Sequence, residues 1–281
     1  MVRIGKTSKL QVVKGVEFGL YLDGEEFGEI LLPARYVPPG VQVDDWLDVF
    51  IYLDSEDTII ATTEKPHVEI GECACLRVAD LNAFGAFMDW GLSKDLFVPF
   101  KEQRVPMVKN RSYAVYVFED KSGRLCGSSK LDHFLSEFAD GKFQNNQAVD
   151  LHIVSQSPLG YKAVINGTHL GLLYSSELLA TVEIGQRMTG YIKHIRPDDA
   201  IDLTLQQQGA ALRDSLSQAI LDDLQNRNGV SDLTDKSSAE AIFQRFQVSK
   251  GNYKKAIGLL YKEKKILLET DKITLSSGGA E

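Results

Sequence analysis

Through residue 206, apolar positions come in short runs of β-branched and aromatic residues, such as YAVYVF at 113–118. Turn signals such as Asp89-Trp90-Gly91 and Lys121-Ser122-Gly123 break them. Runs of this length and composition predict β-strands. Between 65 and 130 they predict five, at roughly 69–80, 84–90, 95–100, 111–119 and 124–129. After Gln206-Gln207-Gln208-Gly209, a polar joint, the period changes. Leu212, Leu216, Ala219, Ile220 and Leu224 make a helical stripe in ALRDSLSQAILDDLQNR, which stops at Asn228-Gly229. Ser237-Ser238-Ala239-Glu240 offers a capping box for a second helix, AEAIFQRF. Ser249 can cap a third, SKGNYKKAIGLLYKEK, with Tyr253, Ala256, Ile257 and Leu260 on one face. Two extended runs, ILLET and ITL, follow around Asp271-Lys272. Three helices and a hairpin predict a winged helix.

The strand pattern repeats. A shift of 66 residues lays Ile4-Gly5 on Ile70-Gly71, Phe18-Gly19 on Phe84-Gly85, Tyr21 on Phe87, and Pro33 on Pro99. A further shift of 75 lays Leu76 on Leu151, Val78 on Ile153, Phe84-Gly85 on Leu159-Gly160, and Pro99 on Tyr174. Fixed offsets of this kind mark internal repeats. Five antiparallel strands per copy suit a small closed barrel, of which the OB-fold is the common five-stranded form. The expected fold is mainly β: three tandem five-stranded OB-fold barrels followed by an α+β winged-helix domain. The expected boundaries are 1–64, 65–130, a helical linker over 131–144, 145–206, and the winged helix over 210–281.

One tract carries candidate chemistry. In FGAFMDW, Phe84 and Phe87 stand three apart, so a regular strand would send them to opposite faces. A bulge or kink at Gly85 would return both rings to one face and make a stacking platform. Two aromatics also suit a filled barrel, and the glycine and the repeat context favour the platform. With the following strand Leu96-Phe97-Val98-Pro99, this pattern resembles the S1 RNA-binding repeat, an OB-fold module. That resemblance implies base stacking on Phe84 and Phe87 in copy two and on Phe18 and Tyr21 in copy one. Copy three replaces the pair with Leu159 and Lys162, and Pro33, Pro99 and Tyr174 stand where the family often has a histidine. The whole order of three such repeats and a winged helix resembles the bacterial conserved virulence factor B family. The tract GVSDLTDKSSAEAIFQRFQVSKGNYKKAIGLLYK is its most specific part. The likeness implies a cytoplasmic RNA-binding protein with an indirect effect on gene expression, and single-stranded RNA as partner.

Charge changes this picture domain by domain. The chain of 281 residues has a net charge of −8, with 43% hydrophobic and 25% charged residues, as in ordinary soluble proteins. Residues 1–64 carry 5 basic and 12 acidic side chains, which suits a protein partner for repeat 1 better than a polyanion. Residues 210–281 carry 11 and 10, and there Arg245, Lys250, Lys254, Lys255, Lys262, Lys264 and Lys265 cluster against one acid, Glu263. Such a cluster is either a solvated face or a backbone-binding patch that releases counterions from phosphates. Duplex DNA read by the winged helix is the rival reading, weakened because the third helix offers lysines, Asn252 and Tyr253 but no exposed arginine for bidentate guanine contacts. A protein-interaction scaffold is another.

Little points to an enzyme. His67, His133, His152, His169 and His194 have no metal-ligand spacing, and no phosphate-cradling GxxxxGK[ST] loop occurs. Cys73, Cys75 and Cys126 fit free thiols of a reducing compartment. No cofactor and no metal are expected. MVRIGKTSKL lacks a signal-peptide core, and polar residues interrupt every later apolar run, so neither export nor a membrane span is expected.

Overall fold

The computed structural model describes residues 1–54, 56–178, 181–206 and 209–276. Repeat 1 contains β1 (Thr7–Val16), β2 (Gly19–Asp23), β3 (Glu29–Pro33), β4 (Trp46–Leu53) and β5 (Ile59–Thr62). Repeat 2 contains β6 (Cys73–Leu81), β7 (Gly85–Asp89), β8 (Leu96–Pro99), β9 (Ser112–Glu119) and β10 (Leu125–Ser128). Repeat 3 contains β11 (Ala148–Ser157), β12 (Gly160–Ile165), β13 (His169–Tyr174), β14 (Arg187–Ile195) and β15 (Ile201–Thr204). Each set closes into a barrel in the same order, β1-β2-β3-β5-β4 in the first, with the third and fifth strands parallel. Closure removes the exposed edges that so short a sheet would otherwise present.

Two local features recur at one register in all three barrels. The first strand slips against the second between Val12 and Lys14, between Val78 and Asp80, and between Ile153 and Ser155. The second strand opens on a glycine that presses against the third strand's backbone. A Cβ at Gly19, Gly85 or Gly160 would lie 2.2, 2.3 or 2.1 Å from the carbonyl oxygen of Leu32, Val98 or Leu173. Only glycine permits that approach. The residue before each glycine is pushed outside its barrel: Phe18, Phe84 and Leu159 are 58%, 73% and 63% exposed.

The expected bulge at Gly85 is therefore corrected. The register slip lies in β6, across from β7, and Phe84 precedes the strand altogether. It sits in a turn in which Asn82 Oδ1 accepts from the backbone N–H groups of Phe84 (2.8 Å) and Gly85 (3.0 Å). Strand parity does not apply to a residue in a turn, so Phe84 can face the same way as Phe87.

The helical linker over 131–144 is also corrected. Leu131–His133 form one 3₁₀ turn, and no α-helix occurs there. Its apolar residues have helical spacing but reach separate neighbours. Phe134 stacks on Tyr116 at 4.6 Å and packs against Phe118 at 5.0 Å, while Leu131 and Leu135 are buried. Covering β9 replaces helix formation.

The C-terminal domain contains α1 (Gly209–Asn226), β16 (Val230–Ser231), α2 (Ala239–Phe246), α3 (Lys250–Lys262), β17 (Ile266–Leu268) and β18 (Ile273–Leu275). Ser238 caps α2 by accepting from Ala241 N–H, and Ser249 caps α3 by accepting from Asn252 N–H. Leu216, Ile220 and Leu224 of α1 pack with Ile242, Tyr253, Ile257 and Leu260 in one core. The strands form a three-stranded sheet, β16-β18-β17, completing a winged helix.

The chain divides into two compact units, the first holding repeats 1 and 2 and the second most of repeat 3 with the winged helix. Within the first unit the two barrels share a core. Phe50, Tyr52 and Ile60 of repeat 1 pack with Val68, Ile70, Trp90, Leu92 and Leu96. Trp90 meets Phe50 edge-on at 5.6 Å, and its Nε1–H donates to Lys94 O at 2.6 Å. The backbone joins too, with Ile70 N–H donating to Gly5 O at 3.0 Å. Trp90→Ala should lower the unfolding free energy by about 3–5 kcal/mol, the usual cost of deleting a large buried aromatic. Chemical denaturation measures this; a loss under about 1 kcal/mol would show that Trp90 does not carry the junction.

Candidate nucleic-acid interface

The junction of repeats 1 and 2 contains a cavity of about 550 Å³ with one aromatic wall. Phe84, Phe87 and Phe97 form it, while Tyr52, Leu53 and Asp57 of repeat 1 line another side. Strand pairing places the rings: Phe87 stands directly opposite Phe97, their centroids 5.2 Å apart and tilted by 41°. Cross-strand aromatic pairs of this kind stabilise the sheet while leaving ring faces available. Phe97 was not among the expected site residues. Its signal was present, since the alternation of LFVP sends Leu96 and Val98 inward and Phe97 out.

Both cations that line the cavity are already engaged. Arg124 donates from Nε to Asp57 Oδ1 at 2.8 Å and from its terminal nitrogen to Asp57 Oδ2. Lys94 donates to the carbonyl oxygens of Leu53 and Asp54, both at 2.8 Å, and burial lowers its pKa. Lys109 pairs with Asp80 at 2.7 Å and Arg77 with Asp89 at 3.5 Å. Such a wall suits the flat face of a base better than a phosphate.

The same contacts engage part of the acidity of repeat 1. Asp57 holds Arg124, and Glu64 accepts from the Ser93 hydroxyl at 2.8 Å and the Ser93 N–H at 2.9 Å. Across the junction, Lys6 pairs with Glu69 at 3.2 Å and Glu72 at 3.3 Å.

The other expected residues fall in three places. Phe18 and Tyr21 come together edge-on at 6.4 Å on repeat 1, with Lys14 Nζ 5.5 Å from the Tyr21 ring. On repeat 3, Lys162 pairs with Glu137 at 2.6 Å. There Tyr174 supplies a ring, its hydroxyl accepting from Arg196 at 3.0 Å and Lys193 lying 6.0 Å from its centroid. The alignment of Tyr174 with Pro99 was the sequence signal for it.

The basic cluster of the winged helix is smaller than its sequence suggested, because acids outside the tract face it. Arg245 is held by Asp232 at 2.7 Å and Asp223 at 3.7 Å. Lys254 pairs with Asp235 at 3.6 Å and Lys265 with Glu263 at 2.9 Å, while Lys250 donates to Lys236 O at 3.5 Å. Lys255, Lys262 and Lys264 stay exposed and make no ion pair among the described residues. Tyr253 is fully buried, its hydroxyl donating to Leu233 O at 2.9 Å, and Asn252 reaches Gln206 Oε1 at 3.4 Å.

Among the described residues Cys73, Cys75 and Cys126 form no disulfide, and burial, reinforced by Asp120, pushes the Cys126 thiol up to about 11. Among the described residues no cluster of His, Cys, Asp and Glu could hold a metal ion. Among them, too, no helix is long and apolar enough to cross a membrane.

Comparison with known proteins agrees with this architecture. Residues 4–64 match the S1 domain family model, and residues 218–275 match the CvfB-like winged helix domain. The chain is similar to YitL of Bacillus subtilis, 27% identical over 283 residues covering 95% of this chain and 92% of that one. It is similar to conserved virulence factor B of Staphylococcus aureus, 26% identical over 292 residues covering 98% and 95%. A crystal structure of a Streptococcus pneumoniae multidomain protein with nucleic acid binding domains is 22% identical, covers 97% of this chain and 98% of that one, and gives a TM-score of 0.39. The resemblance to the conserved virulence factor B family thus runs over nearly the full chain.

The Asp57–Arg124 pair yields a pH dependence. The Arg124 guanidinium holds the Asp57 carboxyl below its ordinary range. Its folded pKa is thus lower than its unfolded one, so its stabilisation is complete above the unfolded value, about 4, and is lost as pH falls through the folded value. Wild type should melt above Asp57→Asn at neutral pH, and the gap should close in acid. A gap independent of pH would contradict the pairing.

Proposed function

We propose that this chain is a non-catalytic, cytoplasmic RNA-binding protein that stacks unpaired bases in the aromatic cavity of repeat 2. The observation that carries this reading is the exposure of Phe84, at 73%, beside Phe87 and Phe97 on a cavity with no free cation on its aromatic wall. Three rings grouped on one cavity wall, unlike a single exposed phenylalanine, mark a binding surface. The S1 and winged-helix matches point to nucleic acid as that partner.

Phosphate contacts come from elsewhere. Lys255, Lys262 and Lys264 of the winged helix supply them, and Phe18 and Tyr21 add a second, smaller stacking pair on repeat 1. Duplex DNA read by α3 fits less well, because Tyr253 is buried and Arg245 is tied to two aspartates. Through RNA, such a protein would affect gene expression post-transcriptionally.

Titration of labelled single-stranded RNA and duplex DNA at two salt concentrations tests the reading. Stacking on an aromatic contributes about 1–3 kcal/mol per base, so Phe84→Ala/Phe87→Ala should weaken RNA binding by roughly tenfold or more. Its salt slope should stay as shallow as wild type, because no phosphate contact is removed. Preference for duplex DNA with a steep slope, untouched by the double substitution, would move the site to the lysines of α3.

A further inference from the structure

Most polar side chains on the cavity wall already have partners. Arg124 is bound to Asp57, Lys94 to two carbonyl oxygens, and Asn82 Oδ1 to two backbone N–H groups. The Cys126 thiol reaches Asp120 Oδ2 at 3.8 Å. Asp95 differs: it lines the cavity half-buried, and among the described residues its carboxylate makes no hydrogen bond and no ion pair. Burial, with the negative charges of Asp89 and Asp80, raises its pKa. A partly desolvated carboxylate without a donor is costly, and a ligand that brings N–H groups removes that cost.

Asp95 immediately precedes β8, and it lines the cavity together with Phe97. Phe87, opposite Phe97 in the sheet, lines the same cavity. A base lying on those rings turns one edge towards the carboxylate. The cavity volume, about 550 Å³, is of the size that holds a small ligand.

We propose that this cavity is a pocket for an unpaired guanine nucleotide, in which the base stacks on Phe87 and Phe97 and donates N1–H and its 2-amino group to Asp95. Guanine alone among the four bases carries two adjacent donors on one edge, which match the two oxygens of a carboxylate as a bidentate pair. Adenine and cytosine bring one amino group each. Uracil brings one imino group flanked by two carbonyl oxygens that repel the acid. Arg124 and Lys94 are held by Asp57 and by two carbonyl oxygens, so the sugar–phosphate chain runs along the pocket's mouth. This selectivity rests on the stacking function proposed above and adds sequence preference to it.

The test uses full-length protein and adenine-rich RNA oligonucleotides bearing one central guanine, inosine, adenine or uracil. Inosine keeps N1–H and the ring but lacks the 2-amino donor. Wild type should bind the guanine oligonucleotide roughly tenfold or more tightly than the inosine one, as expected for loss of a hydrogen bond to a charged group. Asp95→Asn, nearly isosteric, should lose the guanine preference without any fall in melting temperature, and Asp95→Ala should do the same. Equal affinity of wild type for guanine and inosine, or a guanine preference that survives Asp95→Asn, would overturn the pocket while leaving stacking intact. Binding of no RNA at all would overturn both. Displacement by an arginine-rich peptide, with no discrimination among bases, would also overturn it, since a guanidinium offers the same two donors.

Discussion

Trp90 meets Phe50 edge-on in a core that belongs to two barrels at once, and the cavity beside Phe87 depends on that contact. A lone five-stranded barrel would leave the ring of Phe84 on an open convex face. Here Tyr52, Leu53 and Asp57 of repeat 1 provide the opposing side. The indole is anchored at both ends, by Phe50 and by the carbonyl of Lys94, whose own ammonium reaches back to Leu53 and Asp54. Packing, hydrogen bonding and the Arg124–Asp57 pair thus converge on the same few residues.

Charge divides the work among the domains. A chain with a net charge of −8 is a poor polyanion binder as a whole. The acidity of repeat 1 is partly engaged by repeat 2, through Asp57 and Glu64. In the proposed reading the apolar cleft takes bases, and Lys255, Lys262 and Lys264 of the winged helix take phosphates. That division favours unpaired strands, whose bases are free to leave the stack, over a duplex.

Much of this was legible in the residues alone, for physical reasons that differ by element. The two offsets between repeats survive because each barrel needs the same glycine against the same carbonyl and the same slip in its first strand. The helices of the winged domain announce themselves through capping serines and an apolar face. Three features were hidden. LDHFLSEF has helical spacing but packs as an irregular strap over Tyr116 and Phe118, a choice made by tertiary contacts. The acids Asp223, Asp232 and Asp235 neutralise Arg245 and Lys254 from outside the tract in which those cations occur, so counting charges along it overstated the patch. The fused core of repeats 1 and 2 has no local signature, because Phe50 and Trp90 each look like an ordinary barrel residue until the barrels meet.

The most direct test of where bases sit is photo-crosslinking of the full-length protein to a single-stranded RNA, followed by mass-spectrometric mapping of the linked peptides. Bases held in the cleft predict crosslinks to the segment from Phe84 to Phe97, with Tyr52 of repeat 1 as a second position. Crosslinks confined to 250–265 of the winged helix, with none to residues 84–97, would contradict it.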